Sequence, residues 1–256
     1  MDPRLSFNEV PDIYDEIRPS YPAELFDTLF AMLPNDPAIV EVGPGTGQAT
    51  RRLLDRGATI YAVEIGPAMA AELRSNLPTD RLRVTVGDFE HVEVPMSSVD
   101  AVFSATAYHW ISPPAQTDRP ASLLRPGGIV AIVELIQVTS PADLGFFDAA
   151  QPIYVRHGQG HNGPPAPTRD AIDPPMRERL DADRRFSQVE VSSWNWDQTY
   201  SAADYRKLML SYSGTQMMGI PERLGLLEHI EALITRQFGG QVTRPLVATL
   251  TTAHLD

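Results

Sequence analysis

The chain contains no cysteine and a single lysine, Lys207, among its 256 residues. The absence of cysteine excludes disulfide bonds and thiolate chemistry, and it fits a reducing compartment. No stretch reaches the roughly 18 consecutive apolar residues that a membrane-spanning helix needs. The first residues also lack a basic segment followed by an apolar run, so the sequence predicts no secretory signal. We therefore expect a cytoplasmic location and no membrane partner.

Basic charge is also scarce, because 33 acidic residues face 21 basic ones and the formal net charge is −12. No basic stripe or tail is present that would neutralise a row of phosphates. We therefore expect a small-molecule substrate and no nucleic-acid partner. The length suits one α/β domain with inserted segments. The sequence leaves open whether the chain is a monomer or a homodimer.

The most informative segment covers residues 39–48 and reads Ile-Val-Glu-Val-Gly-Pro-Gly-Thr-Gly-Gln. Its β-branched residues predict a buried strand, and its glycines predict a tight turn that opens a helix. Such a turn lets the backbone approach a ligand closely, with the N–H groups of the following helix aimed at it. A dinucleotide-binding loop has a third glycine where this chain has Gln48, which disfavours an NAD-dependent oxidoreductase. An ordinary strand-to-helix turn is the alternative for this segment taken alone.

Two further strand-like segments end in acidic residues. Residues 59–63 are apolar and β-branched, and they end at Glu64, which lies 17 residues beyond Gly47. In doubly wound folds, an acid about 20 residues beyond the glycine turn accepts hydrogen bonds from ribose hydroxyls. Residues 82–86 form another short strand, and Asp88 and Phe89 follow it.

A fourth predicted strand covers residues 99–104 and leads into the segment Ser-Ala-Thr-Ala-Tyr-His-Trp at 104–110. A helix, a Pro-Gly-Gly turn at 126–128 and a fifth strand come next. With these five elements in this order, the sequence resembles the class I S-adenosylmethionine (SAM) dependent methyltransferases. Within them it is similar to the small-molecule branch that includes trans-aconitate methyltransferase. The specific motifs lie in the first 135 residues and do not identify an acceptor.

The resemblance implies SAM as the cofactor. It implies that Glu64 binds the ribose, that Asp88 and Phe89 hold the adenine, and that a lid carrying Tyr14 and Arg18 closes over the methionine end. A surface salt bridge is the alternative role of Arg18. The complete set of residues implied to contact or orient the cofactor is Tyr14, Arg18, Glu41, Gly43, Gly45, Gly47, Glu64, Ile65, Asp88, Phe89 and Ser104.

His109 is the candidate general base. A hydroxyl or amine acceptor needs such a base, whereas a carboxylate acceptor does not. Tyr108, Trp110 and Tyr212 are the candidate substrate contacts, and packing within the fold is the alternative for each of these four residues. The two histidines at 157 and 161 are separated by glycines and lack an identifiable third ligand, so we expect no metal site.

The predicted fold is α/β, with a Rossmann-like, seven-stranded and mostly parallel sheet whose last strand is antiparallel. Helices are expected on both faces of this sheet, and helical insertions are expected to form a substrate cap. A single domain is predicted for residues 1–256. Its segments are an N-terminal lid and first helix (1–36), a SAM-binding core (37–138), two insertions (139–186 and 201–239) and the last strands (187–200 and 240–254).

The expected function is transfer of a methyl group from SAM to a small molecule, with oxygen of a carboxylate or hydroxyl as the favoured acceptor. The protein would mainly hold the acceptor in line with the methyl group and exclude water. Two alternatives stay open. One is a SAM-using enzyme with another outcome, such as an intramolecular displacement or a cyclisation, and the other is a catalytically silent SAM-binding module.

Overall fold

The computed structural model describes residues 17–94, 99–159 and 166–256. Tyr14 and the histidine at position 161 lie outside these ranges. The chain divides into two compact units. The sheet unit comprises Ser20–Leu135, Asp173–Trp194 and Ala248–Asp256, and the insertion unit comprises Met1–Pro19, Ile136–Ile172 and Asn195–Val247.

Seven strands in the described ranges form one sheet. They are β1 (Ala38–Val42), β2 (Thr59–Glu64), β3 (Leu82–Val86), β4 (Val99–Ala105), β5 (Leu124–Gln137), β6 (Phe186–Ser201) and β7 (Gln241–Leu255). Their order across the sheet is β3-β2-β1-β4-β5-β7-β6. The strands β1 to β5 pair in parallel, and the last strands introduce antiparallel pairing. This arrangement confirms the predicted fold class.

The strand order reverses its direction across the sheet between β1 and β4, which makes this edge of the sheet the candidate ligand site. In open α/β sheets, ligands bind beyond the carboxyl ends of the strands at this point. The helices around the sheet and in the insertions are α1 (Ala23–Phe30), α2 (Gln48–Leu54), α3 (Pro67–Asn76), α4 (Ala115–Leu123), α5 (Phe146–Arg156), α6 (Pro175–Ala182), α7 (Ala202–Leu210), α8 (Ser213–Gln216) and α9 (Ile220–Gln237).

Each unit has its own apolar core. In the sheet unit, buried residues of the central strands pack with Met176 and Leu180 of α6. The end of the predicted first insertion, which was expected to reach residue 186, therefore packs with the sheet. In the insertion unit, the ring of Phe146 meets Tyr205 edge to face at 5.2 Å and Phe238 at 5.4 Å. The described ranges contain no helix that combines the length and apolar character of a membrane span.

Two glycines with similar backbone angles differ in what surrounds them. Gly43, directly after β1, has φ +65°, and a Cβ there would lie 2.4 Å from the Cβ of Ala107. Gly127 lies in the Pro-Gly-Gly turn, which bulges out of β5 between the pairs Val99–Leu124 and Ala101–Ile129. Its φ is +74°, and a Cβ there would meet no atom within 4 Å.

The pair allows backbone strain to be separated from steric overlap. We expect Gly127→Ala to cost about 1 kcal/mol of unfolding free energy, because it only places alanine in a left-handed conformation. We expect Gly43→Ala to cost at least about 2 kcal/mol more, because the added methyl group also overlaps Ala107. Urea unfolding of both variants and the wild type checks this. Equal losses in the two variants would contradict a close approach at Gly43.

Candidate functional site

The glycine loop between β1 and α2 adopts the conformation that its sequence predicts. Gly43, Gly45 and Gly47 all have positive φ angles, of 65°, 60° and 105°. The N–H of Gly43 donates to the carbonyl of Val63 at 2.9 Å, and that of Gly47 donates to the carbonyl of Pro44 at 3.1 Å. These glycine N–H groups are thus used inside the fold. Ala107 lies against Gly43, and Leu73 and Leu77 lie against Gly47, so the backbone that the loop leaves partly accessible to a ligand is that of Gly45.

Glu64 joins this loop to the next one. One oxygen of its carboxylate accepts from the N–H of Gly45 at 3.0 Å, and the other accepts from the N–H of Gly66 at 2.8 Å. We call this arrangement the Glu64 bridge. The side chain is only 6% exposed. Burial raises the pKa of Glu64, and the N–H groups of Gly66, Gly45 and Ile65 oppose that rise by stabilising the charged form.

Glu41 is the penultimate residue of β1 and is more deeply buried, with 1% exposure. Burial raises the pKa of its carboxyl to about 8, the nearby hydroxyl of Thr50 opposes the rise, and the charge of Glu64 adds to it. Burying an acid without a full set of partners is costly in a folded protein.

The residues implied to hold adenine follow β3. The carboxylate of Asp88 accepts from the N–H of Glu90 at 3.0 Å. The ring of Phe89 is buried, and the guanidinium of Arg119 lies 5.4 Å from its centroid. Arg119 also donates to the carbonyl of Phe89 at 3.0 Å. These bonds fix the turn that carries both residues, while their roles toward adenine stay predictions.

The residues after β4 have distinct surroundings. The hydroxyl of Ser104 is buried and donates to the carbonyl of Val42 at 2.8 Å, which ties β4 to β1. Tyr108 is buried as well, and its hydroxyl donates to the carbonyl of Gln116 at 2.8 Å. Both hydroxyls are therefore engaged in the fold, and contact with cofactor or substrate stays a prediction for each.

His109 is accessible to solvent, and its ring lies 4.9 Å from that of Trp110. The surrounding protein still removes enough water to lower the pKa of the imidazole. The ring is therefore neutral near pH 7, which is the form that accepts a proton.

A pocket of about 140 Å³ opens at the carboxyl ends of β4 and β5. His109 and Tyr108 line it together with Thr106, Glu134 and Arg179. Burial raises the pKa of Glu134, and its Oε2 atom has no hydrogen-bond partner in the described chain. Sequence reasoning missed Glu134, although it is the polar residue that ends the apolar run 129–133 at the ligand edge of the sheet.

The remaining predicted residues lie in the insertion unit or outside the described ranges. Arg18 donates to the carbonyl of Ser211 at 2.7 Å, and its guanidinium lies 4.7 Å from the ring centroid of Tyr212. His157 lies beside His229, with 2.9 Å between ring nitrogens. Among the described residues, no three side chains of the metal-binding types come together.

The strand order, the glycine loop and the Glu64 bridge define a class I SAM-dependent methyltransferase fold. Residues 40–132 match the family model of the methyltransferase domain. An uncharacterized methyltransferase of Mycobacterium tuberculosis is 31% identical over 195 residues, which cover 76% of this chain and 71% of the relative. The chain therefore belongs to the methyltransferase family. The narrower resemblance to the trans-aconitate branch stays a prediction.

Solved structures share the fold at low sequence identity. A proposed type II methyltransferase of Anaeromyxobacter dehalogenans is 20% identical, with a TM-score of 0.63 over 93% of this chain and 97% of the other. Phosphoethanolamine N-methyltransferase 2 of Haemonchus contortus was solved with phosphomonomethylethanolamine and S-adenosylhomocysteine. It is 16% identical, with a TM-score of 0.54 over 97% of this chain and 58% of the other.

The raised pKa of Glu41 makes a prediction about stability. The folded state holds the proton up to a pH of about 8, whereas the unfolded state releases it near the ordinary value of 4.5. The contribution of Glu41 to the free energy of unfolding is therefore fully present below pH 4.5, and it is lost as the pH rises through about 8.

We expect Glu41→Gln to remove this loss, because the amide stays neutral. As the pH rises from 4.5 to about 8, the free energy of unfolding of the variant should increase relative to the wild type by roughly 2–4 kcal/mol. Urea unfolding across the pH range measures the difference, with Glu24→Gln at an exposed position as the control. A constant difference between Glu41→Gln and the wild type would contradict the raised pKa.

Proposed function

We propose that the protein transfers the methyl group of SAM to an oxygen of a small-molecule acceptor. The observation that carries the proposal is the Glu64 bridge beside the glycine loop. Its two carboxylate oxygens offer about four lone-pair positions, and the N–H groups of Gly45, Gly66 and Ile65 do not use them all. Capacity remains for the hydroxyls of a ribose.

The residues present fit SAM in two further respects. The backbone of Gly45 stays partly accessible and carries no side chain, so a ligand can approach it. The carboxyl of Glu41 adds a second buried polar group close to Glu64. SAM supplies a methyl group already activated by its sulfonium charge. The protein's own task is then to position the acceptor and to exclude water.

The pocket at β4 and β5 supports a small acceptor, because a cavity of comparable size holds a group about as large as benzene. His109 and Glu134 both line this pocket and are the candidate bases for a hydroxyl acceptor. The neutral imidazole of His109 is ready to take a proton. The carboxyl of Glu134 has a free buried oxygen, but its raised pKa lowers the fraction that is ionised.

Titration calorimetry with SAM, S-adenosylhomocysteine and NAD tests the cofactor. We expect both adenosyl ligands to bind in the micromolar range and NAD not to bind. Glu64→Ala should weaken adenosyl-ligand binding about tenfold or more, because it removes the ribose acceptor and leaves the N–H groups of Gly45 and Gly66 unpaired. Glu24→Ala, at an exposed position, is the matched control. Unchanged affinity in Glu64→Ala, or binding of NAD alone, would contradict the proposal.

Activity measurements with methyl-labelled SAM test the base. If His109 is the base, His109→Ala should lose about a hundredfold in rate on a hydroxyl acceptor and only a few-fold on a carboxylate acceptor. Glu134→Gln is assayed in parallel, and His254→Ala serves as the histidine control away from the pocket. A hydroxyl-acceptor rate that survives His109→Ala within a few-fold would make the histidine structural. If only Glu134→Gln loses the rate on a hydroxyl acceptor, the general base is Glu134 instead of His109.

A further inference from the structure

The insertion unit holds a partly buried cation, Arg244, that pairs with no carboxylate among the described residues. Arg244 lies on β7, and its Nε and Nη2 atoms donate to Oε1 of Gln137 at 2.9 and 2.7 Å. Its Nη1 atom donates to the hydroxyl of Tyr212 at 2.5 Å. The ion pairs of the described chain include none with Arg244.

This arrangement leaves hydrogen-bonding capacity unused. A guanidinium carries five N–H donors and stays charged in proteins, and three of the five are accounted for at Arg244. Buried charges in folded proteins are ordinarily paired, because desolvation of a lone charge is expensive. A cation that has no carboxylate partner among the described residues and keeps at least one donor unused calls for an anion, and a planar guanidinium suits an oxyanion that accepts two bonds.

Tyr200 provides a second, independent observation. Its side chain is 4% exposed, and its buried hydroxyl has no hydrogen-bond partner in the described chain. Burial raises the pKa of Tyr200 to about 12, and the charge of Arg244, together with a side-chain contact to it, opposes the rise. The hydroxyl of Tyr200 therefore lies next to the guanidinium of Arg244, and its own proton is available to an anion.

A ligand could reach this cluster from solvent. Arg244, Gln137 and Tyr212 all keep part of their surface accessible. The guanidinium of Arg18 lies 4.7 Å from the ring centroid of Tyr212, and that of Arg244 lies 5.8 Å from it.

We infer that Arg244, Tyr200 and Tyr212 form an oxyanion-binding site for a carboxylate or a phosphate ester. The ligand is then an anionic small molecule, and aromatic residues of the insertion unit lie around its charged group.

Titration of the full chain with inorganic phosphate and, separately, with malonate tests the site. The readout is the NMR signal of ring-labelled tyrosines, which reports on Tyr200 and Tyr212 without any cofactor. We expect saturable shifts of both residues with at least one anion. Arg244→Gln should lower the affinity for that anion about tenfold or more, because hydrogen bonds between charged groups are the strong ones. Stronger binding of phosphate indicates a phosphate ester, and stronger binding of malonate indicates a carboxylate.

Three further variants keep the test decisive. Arg244→Lys retains the charge if Arg244→Gln does not fold, and it should lose less affinity than a neutral residue. Tyr212→Phe keeps the ring and removes the hydroxyl, so it should lower the affinity for the anion several-fold. The guanidinium of Arg206 pairs with Glu231 at the surface, so the control Arg206→Gln should leave the affinity for the anion unchanged. The absence of saturable shifts with either anion, or wild-type affinity in the Arg244 variants, would overturn the site.

Competition with S-adenosylhomocysteine separates this inference from the proposed function. We expect phosphate or malonate to bind equally well with and without S-adenosylhomocysteine. Displacement of the anion by that ligand would show that the two compete, and it would overturn a separate oxyanion site. If S-adenosylhomocysteine fails to bind at all, the proposed function fails, while the anion titration still reads out the site itself.

Discussion

The buried carboxylate of Glu64 is the interaction on which the sheet unit's ligand edge depends. It accepts from Gly45 in the glycine loop and from Gly66 before α3, so one side chain sets the positions of two backbone segments. Charge-assisted bonds of this kind are strong, and they offset the cost of burying the acid. The same carboxylate keeps lone pairs that these two bonds do not use, so the proposed binding of a ribose needs no change in this support.

The two units differ in the ionisable groups that they hold. In the sheet unit, Glu41 and Glu64 lie close together, and burial raises the pKa of both carboxyls, that of Glu41 to about 8. In the insertion unit, the guanidiniums of Arg18 and Arg244 lie 4.7 and 5.8 Å from the ring centroid of Tyr212. The chain's net charge of −12 does not reveal this difference, because it sums over all residues.

Local patterns made the fold and the glycine loop predictable, since strand periodicity and glycine spacing act over a few neighbouring residues. Glu64 was singled out from the sequence because it ends a strand at a characteristic distance from the glycine loop, and its role toward a ribose stays a prediction. Arg244 was missed because its partner Gln137 lies 107 residues away and only the fold brings them together. The internal use of the Tyr108 hydroxyl was hidden for a similar reason, since spacing alone does not reveal the carbonyl of Gln116.

A crystal structure of the protein with S-adenosylhomocysteine is the most direct measurement of the central claim. The account predicts that the ribose hydroxyls donate to the carboxylate of Glu64, and that the bonds from Gly45 and Gly66 to this carboxylate persist. It also predicts that the backbone of the glycine loop lies against the ligand. A ligand bound elsewhere, or a Glu64 side chain turned away from it with the bridge intact, would contradict the account.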